Sequence, residues 1–328
     1  MLRVALIGAG AVADLHAQAI PSVRGVEIAG VFDMDETFGK DKARKWNTEF
    51  YHSMDAIFED SAVDGVLVLT HMDSHLEIAS KAITAGKHVF LEKPVSKDSE
   101  GIERLAEQAR EAGLVCMPDH NYAYIPEFRR LKRIADQGDL GTIRSFFVHY
   151  VIPHAEELAN RYSGILEEVM IHHSYLTLSL LGKPDWVTAG VATPAWKMHT
   201  AEDQAWMVWE YEPGTSAHLF ASFATDDLTN DPWTCLVKVL GTNGSAEVNW
   251  RSSMFNRKFG THSFAWVEYE ESFGEALAAF RDAILEGAPI VSTIGDAATA
   301  SRIIESAYSA AAEHRSIPRV DASGKAEW

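Results

Sequence analysis

Two short constellations carry the residue types that acid–base chemistry needs. The first is Glu92-Lys93-Pro94, directly after the apolar run His88-Val89-Phe90-Leu91. A lysine held at the end of such a run, partly desolvated, can donate a proton or orient a hydroxyl. On the tripeptide alone, a solvent-exposed loop lysine is the commoner outcome. The second is Glu168-Val169-Met170-Ile171-His172, inside the largely apolar segment 164–181. On an α-helix, residues four apart share a face, so the spacing predicts that the Glu168 carboxylate meets the His172 imidazole. Such a pair fixes the ring and stabilises its protonated form, which suits a base that takes a hydroxyl proton. On a buried helix it is more often structural than catalytic. His172 and His173 are adjacent, but neighbours on a helix point about 100° apart. No Cys or His-x₃-His spacing supports zinc, so no metal is expected. His154 and His199 lie between elements of the second half and are further candidates for substrate contact.

The amino terminus supplies the complementary half of a site. Arg3-Val4-Ala5-Leu6-Ile7 runs into Gly8-x-Gly10-x-x-Ala13, and an amphipathic segment follows. This is the strand, tight turn and helix start of a dinucleotide-binding unit. Gly8 permits the turn, Gly10 lets backbone approach a pyrophosphate, and Ala13 lets the helix pack on the strand. The helix start at Ala11 and Val12 then offers N–H groups and a positive dipole end to phosphates. A second apolar run, Val26-Glu27-Ile28-Ala29-Gly30-Val31-Phe32, ends at Asp33, twenty positions after Ala13. A carboxylate there accepts hydrogen bonds from adenosine ribose hydroxyls. Asp35 adds a second acidic group, and neither Met34 nor its neighbours is an arginine for a 2′-phosphate. The expected cofactor is NAD.

Charge and composition narrow the class. The 328 residues carry 29 Lys and Arg against 47 Asp and Glu, a formal net charge of −18. That balance argues against nucleic acid and against anionic membrane surfaces as partners. No apolar run approaches the ~20 residues that span a bilayer. Arg3, the apolar run and Ala11-Val12-Ala13 superficially imitate a signal peptide. Those residues are the cofactor turn, so a cytoplasmic protein is expected. Cys116 and Cys235 are expected to be buried reduced thiols.

Strands and helices alternate as far as residue 121. Strands are predicted at 3–7, 26–32, 64–69, 88–91 and 114–117, with helices at 36–46, 53–58, 73–85 and 99–112 between them. That alternation predicts an α/β fold with a doubly wound parallel sheet, whose ligands bind beyond the carboxyl ends of the strands. Those ends carry Gly8, Asp33, Thr70-His71, Glu92-Lys93 and His120-Asn121. From residue 122 the pattern changes. Helices are predicted at 126–137 and 164–181, and strands at 145–152, 186–192, 205–211, 216–223, 233–240 and 245–250. Glu212-Pro213-Gly214 and Gly241-Thr242-Asn243-Gly244 suit hairpins. The second half is therefore expected to be an α/β domain with a largely antiparallel open sheet. Helices at 273–286 and 296–313 close it and are free to pack back on the first domain. The expected domains are 1–121 and 122–328, and the segment from Arg315 is poorly determined.

The glycine turn, the segment 70–75, Glu92-Lys93-Pro94 and the helix with His172 together resemble the glucose-fructose oxidoreductase / inositol dehydrogenase / rhizopine-catabolism (Gfo/Idh/MocA) family. The resemblance covers nearly the whole chain, including Phe280-Arg281-x-x-Ile284 and Ala307-Tyr308-x-x-Ala311. It implies a Rossmann domain followed by a domain whose open sheet often forms an oligomer interface, hence a homodimer or homotetramer. It also implies hydride transfer between a nicotinamide and a secondary alcohol or ketone carbon of a sugar, inositol or related polyol. Lys93 would match the catalytic lysine, with a cis Lys93-Pro94 bond, and His172 the histidine that exchanges the hydroxyl proton, charged and oriented by Glu168. Gly8, Gly10, Ala11, Val12, Asp33, Met34, Thr70, His71, His75, Glu92, Lys93 and Asn121 would line the cofactor cleft. Lys93, Asn121, His154 and His172 would meet substrate. Glu168 and Met170 stand where the family often has aspartate and glycine, and the added methylene moves the carboxylate about 1.5 Å. Two alternatives use the same cofactor: glycoside cleavage by transient oxidation, elimination and reduction, and a non-catalytic NAD-sensing protein.

Overall fold

The alternation of the first strand decides the layering. In β1 (Leu2–Ile7), Leu2, Val4 and Leu6 enter one core cluster and Ala5 and Ile7 another, so both faces of the strand are covered. In the computed structural model, residues 1–156, 163–196, 201–225, 234–249, 253–256, 260–263 and 265–313 are described. After β1 come α1 (Ala11–Ala19), β2 (Val26–Phe32), α2 (Glu36–Trp46), β3 (Glu49–Phe50), α3 (Met54–Glu59), β4 (Gly65–Val68), α4 (His75–Thr84), β5 (His88–Leu91), α5 (Ser99–Ala112) and β6 (Cys116–Pro118). The six strands are parallel in the order β3-β2-β1-β4-β5-β6. This is the doubly wound Rossmann order, with its crevice between β1 and β4, where the strand order reverses. The two-residue β3 was not expected, because a strand that short carries no periodicity.

The second sheet is mixed and mostly antiparallel. It follows α6 (Pro126–Asp136) and comprises β7 (Ile143–Val151), β8 (Trp186–Ala192), β9 (Gln204–Tyr211), β10 (Thr215–Ser222), β11 (Thr234–Gly241) and β12 (Ser245–Asn249), in the order β12-β11-β7-β10-β9-β8. Both expected hairpins form, β9–β10 and β11–β12. β7 and β10 pair in parallel, which local patterning does not reveal. Strands β13 (Ser253–Asn256) and β14 (Gly260–Ser263) form a separate hairpin.

One face of this sheet is covered by α7 (Ile171–Leu181), buried without interruption from Ile171 to Leu178. The other face is open. Across it run the stacked pairs Phe147–His218 and His149–Phe220, then the exposed indole of Trp206. Trp206 lies over Gly190, where its ring leaves no room for a Cβ.

Of the closing helices, α8 (Ala265–Glu286) packs on α1, and α9 (Ile294–Glu313) touches β6 of the first sheet and β8 of the second. Arg281 on α8 donates to the Arg24 carbonyl, and Ser301 on α9 donates to the Ser96 carbonyl at 2.7 Å. Cys116 and Cys235 are buried on different sheets. Among the described residues, no helix is long and apolar enough to cross a membrane. His199, Trp233, Trp250 and the segment from Arg315 lie outside the described residues.

Candidate active site

The glycine turn is built as its spacing predicts. Gly8 has φ +98°, and a Cβ there would stand 2.7 Å from the Leu69 carbonyl oxygen. Gly10 precedes α1 with an ordinary φ of −67°, and no side chain caps that helix. A Cβ on Gly10 would meet nothing within 4 Å. An uncapped helix N-terminus opening onto free space at Ala11 and Val12 is what a pyrophosphate requires. Asp33 is tied to the same turn: its Oδ2 accepts from Ala9 N and its Oδ1 from Asp35 N, both at 2.9 Å. Each oxygen keeps a second lone pair for a ribose hydroxyl. Asp35 is occupied as the N-cap of α2, accepting from Phe38 N, and Met34 is 93 % exposed beside it. These residues fit a dinucleotide.

Thr70 and His71 follow β4, and Thr70 shares a hydroxyl–hydroxyl bond of 2.8 Å with Ser74. Two expected cleft residues lie beneath the surface instead. His75 is 1 % exposed, and its ring nitrogens face the carbonyls of Pro94 and Thr70, each at 3.0 Å. It is a strut between two cleft loops and offers no free atom to a ligand. Asn121 is 3 % exposed, with Nδ2 donating to Ser272 Oγ. The loop after β6 turns inward into a 3₁₀ turn (Asn121–Tyr124) packed under α8.

Lys93 emerges at the carboxyl end of β5, and Lys93-Pro94 is cis. Its Nζ lies 3.3 Å from the Glu168 carbonyl oxygen and 3.5 Å from Glu168 Oε2. Burial alone lowers a lysine pKa, but Glu168 and Glu92 outweigh it and hold Lys93 above its usual range.

The expected Glu168–His172 pair does not form. Leu166–Met170 is a π turn, continuous with α7. A π turn carries more residues per turn than an α-helix, so four-residue spacing no longer aligns two side chains. Glu202 supports that turn: its carbonyl accepts from Ile165 N, and its Oε1 accepts from Leu166 N at 3.1 Å. Glu168 is thereby aimed at Lys93. His172 is fixed by other means. Nδ1 lies 2.5 Å from Tyr175 Oη, and its ring stacks on Tyr122 with centroids 4.0 Å apart. Tyr175 Oη also accepts from Tyr122 N, and its ring stacks on His120. Burial, with Lys93 adding repulsion, holds the His172 pKa well below 6.5, so the ring is neutral at pH 7.

Residues 2–120 match the oxidoreductase family with an NAD-binding Rossmann fold, and residues 128–247 match the GFO/IDH/MocA C-terminal domain. The chain belongs to the GFO/IDH/MocA family. It is an NAD-dependent oxidoreductase of that family. Among similar proteins, the inositol 2-dehydrogenase of Rhizobium meliloti is 24 % identical over 96 % of this chain and 98 % of its own. The UDP-N-acetylglucosamine 3-dehydrogenase of Acidithiobacillus ferrooxidans is 30 % identical over 67 % of each chain. Among solved structures, GenD2 from gentamicin A biosynthesis, in complex with NAD, is 27 % identical with a TM-score of 0.84, covering 96 % of this chain and 95 % of that one.

In this member of the GFO/IDH/MocA family, the second sheet sends His154 past the end of β7. Its ring packs on Phe223 and its carbonyl accepts from Trp196 Nε1 at 3.1 Å. A cavity of about 150 Å³ adjoins the Lys93-Pro94 turn on its far side, bounded by Pro94, His120, Glu167, Ile171 and Tyr308. Sequence reasoning named His120 only as a strand-end residue and missed Tyr175, Tyr122, Asp119 and His16. Tyr175 was legible three residues after His172, one helical turn on. His120 and the other three come together only in the folded chain.

Proposed function

We propose that this family member moves a hydride between NAD and a secondary alcohol or ketone carbon of a sugar, inositol or related polyol. Lys93 and His172 act at the reacting oxygen. The observation that carries this reading is a charged lysine paired to Glu168 beside a buried neutral imidazole, both at the carboxyl end of the Rossmann sheet. NAD supplies the hydride acceptor or donor when bound. With Nδ1–H donated to Tyr175 Oη, His172 keeps a lone pair on Nε2 to take the hydroxyl proton. The Lys93 ammonium donates a hydrogen bond to the same oxygen and stabilises the charge that develops there. Glu168 holds Lys93 charged and in place. His154 reaches the substrate from the second sheet, and Asp33 selects NAD over NADP by repelling a 2′-phosphate. The relatives named as inositol and amino-sugar dehydrogenases support the polyol class.

The net charge of −18 disfavours a nucleic-acid or anionic-membrane partner. The open aromatic face through Phe147, Phe220 and Trp206 supports a homo-oligomer formed by covering that face.

Absorbance of reduced nicotinamide, followed with NAD and a panel of inositols, sugars and sugar acids, tests the reading. A substrate-dependent rise is expected that Lys93→Ala lowers at least about a hundredfold, with NAD affinity changed far less. Full activity in Lys93→Ala sinks the assignment. Substrate breakdown with no net reduced nicotinamide selects the glycoside-cleaving alternative instead.

A further inference from the structure

Beneath Lys93 lies a group of three titratable side chains, two buried and one half-buried, that the chemistry above leaves unused. His16 sits on α1, one turn beyond the glycine turn, and is 0 % exposed. Asp119 follows β6 and is 1 % exposed, and Glu92 follows β5, next to Lys93 itself, with its Oε2 buried. One nitrogen or carboxylate oxygen of each lies within 4.8 Å of the other two. His16 Nε2 and Asp119 Oδ2 approach to 3.0 Å, short of hydrogen-bond alignment. Among the described residues, both His16 nitrogens, both Asp119 oxygens and Glu92 Oε2 are buried without another partner. The His16 ring is gripped edge-on by Phe90 and Phe273 at 5.6 and 5.0 Å, so the group is held rigidly.

Two carboxylates side by side in such a place cannot both ionise. A nitrogen and two carboxyl oxygens also suit a divalent cation, but the Lys93 ammonium already stands beside them as the local positive charge. We propose that Glu92 and Asp119 share one proton and one negative charge beneath Lys93, with His16 as the neutral ring facing them. This triad is a positioning device that keeps Lys93 an ammonium aimed into the cleft. The inference rests on the reading of Lys93 given above.

The titration pattern agrees. Burial, then Asp119, pushes Glu92 up to about 8; burial pushes Asp119 up to about 7; burial takes His16 down to about 4. Near neutrality the trio therefore carries close to one negative charge in place of two. The other titratable groups facing Lys93 and the triad are Glu168, His120, His172, Tyr124 and Tyr175. Of these, burial holds the histidines and tyrosines neutral. Because His16 rides on the helix whose N-terminus faces the cofactor phosphates, the triad also ties the glycine turn to Lys93.

The test compares Asp119→Asn, Glu92→Gln and Lys93→Ala in the full-length enzyme, using the substrate found in the panel. The readouts are kcat against pH and NAD affinity by fluorescence quenching. Asp119→Asn removes one of the two negative charges present at the pH where Lys93 titrates, so the alkaline limb moves to lower pH by about one unit, with NAD affinity within about threefold. Glu92→Gln likewise removes one of the two negative charges present at the pH where Lys93 titrates, so its alkaline limb also moves to lower pH. In the wild-type protein near pH 7, infrared spectroscopy shows the C=O stretch of a buried protonated carboxyl, and Glu92→Gln removes it. This last readout does not depend on Asp119→Asn folding. An unmoved limb in either variant, absence of the protonated-carboxyl band, or stoichiometric zinc in the purified protein each overturns the triad. If Lys93→Ala is inactive while Asp119→Asn behaves as wild type, the triad alone fails. If Lys93→Ala is fully active, the reading of the site fails with it.

Discussion

Lys93 Nζ and Glu168 Oε2 stand 3.5 Å apart, each side chain about one-fifth exposed. They are 75 positions apart in the chain and come from different sheets' supporting elements. Their pairing joins the Rossmann strand end to the turn that introduces α7, and it places a charged donor beside a neutral imidazole.

Replacing Glu168 by Gln keeps the shape and removes the charge. Since Glu168 helps to hold the Lys93 pKa up, the variant's alkaline limb moves to lower pH by about one unit. Its kcat falls about tenfold or more, while NAD affinity changes little. A kcat–pH profile superimposable on wild type would remove Glu168 from the site.

Tyr175→Phe deletes the partner of His172 Nδ1 and the acceptor of Tyr122 N. A buried N–H left unsatisfied costs about 1–3 kcal/mol, so the melting temperature falls. The loosened imidazole lowers kcat by about 10- to 100-fold with KM nearly constant. Steady-state kinetics with a thermal melt checks both, and an unchanged kcat would show that the 2.5 Å contact does not position the ring.

The two glycines of the cofactor turn separate folding from binding. Gly8→Ala places a methyl against the Leu69 carbonyl at a left-handed φ and destabilises the protein outright. Gly10→Ala has room and an ordinary φ. It leaves the stability within about 1 kcal/mol of wild type but puts a methyl where the pyrophosphate approaches, weakening NAD by about tenfold or more. Calorimetry of both variants with and without NAD distinguishes the outcomes, and equal NAD affinity in Gly10→Ala would contradict the placement.

Stability depends on pH with a sign set by the buried groups. Burial depresses His16 to about 4, His120 and His173 to about 3, and His172 well below 6.5. Between those values and 6.5 the unfolded chain binds more protons, so these histidines add stability that is complete above pH 6.5 and lost as pH falls. Glu92 and Asp119, raised by burial to about 8 and 7, act the other way. Their contribution is complete at acid pH and lost as pH rises through 7 to 8. Four histidines outnumber two carboxyls below 6.5, so the melting temperature should peak near that pH and fall on both sides. A melting temperature that rises steadily from pH 6.5 to 4.5 would refute this account.

What the sequence determined by itself is what depends on neighbours in the chain. The apolar run of β1, the glycine turn and Asp33 beyond β2 are local patterns, and they were enough for the Rossmann unit and its cofactor, though not for its strand order. The hairpins after β9 and β11 were legible for the same reason. The tertiary structure decided which polar groups meet. Glu168 turns to Lys93 instead of His172 because the segment before α7 is a π turn, supported by Glu202 from another loop. His75 and Asn121 sink beneath the cleft, the first between the Thr70 and Pro94 carbonyls and the second against Ser272 of α8. His16, Glu92 and Asp119 converge from one helix and two strand ends. Hydrophobic periodicity records burial along an element, whereas the partner of a buried charge is chosen by chain brought near from elsewhere.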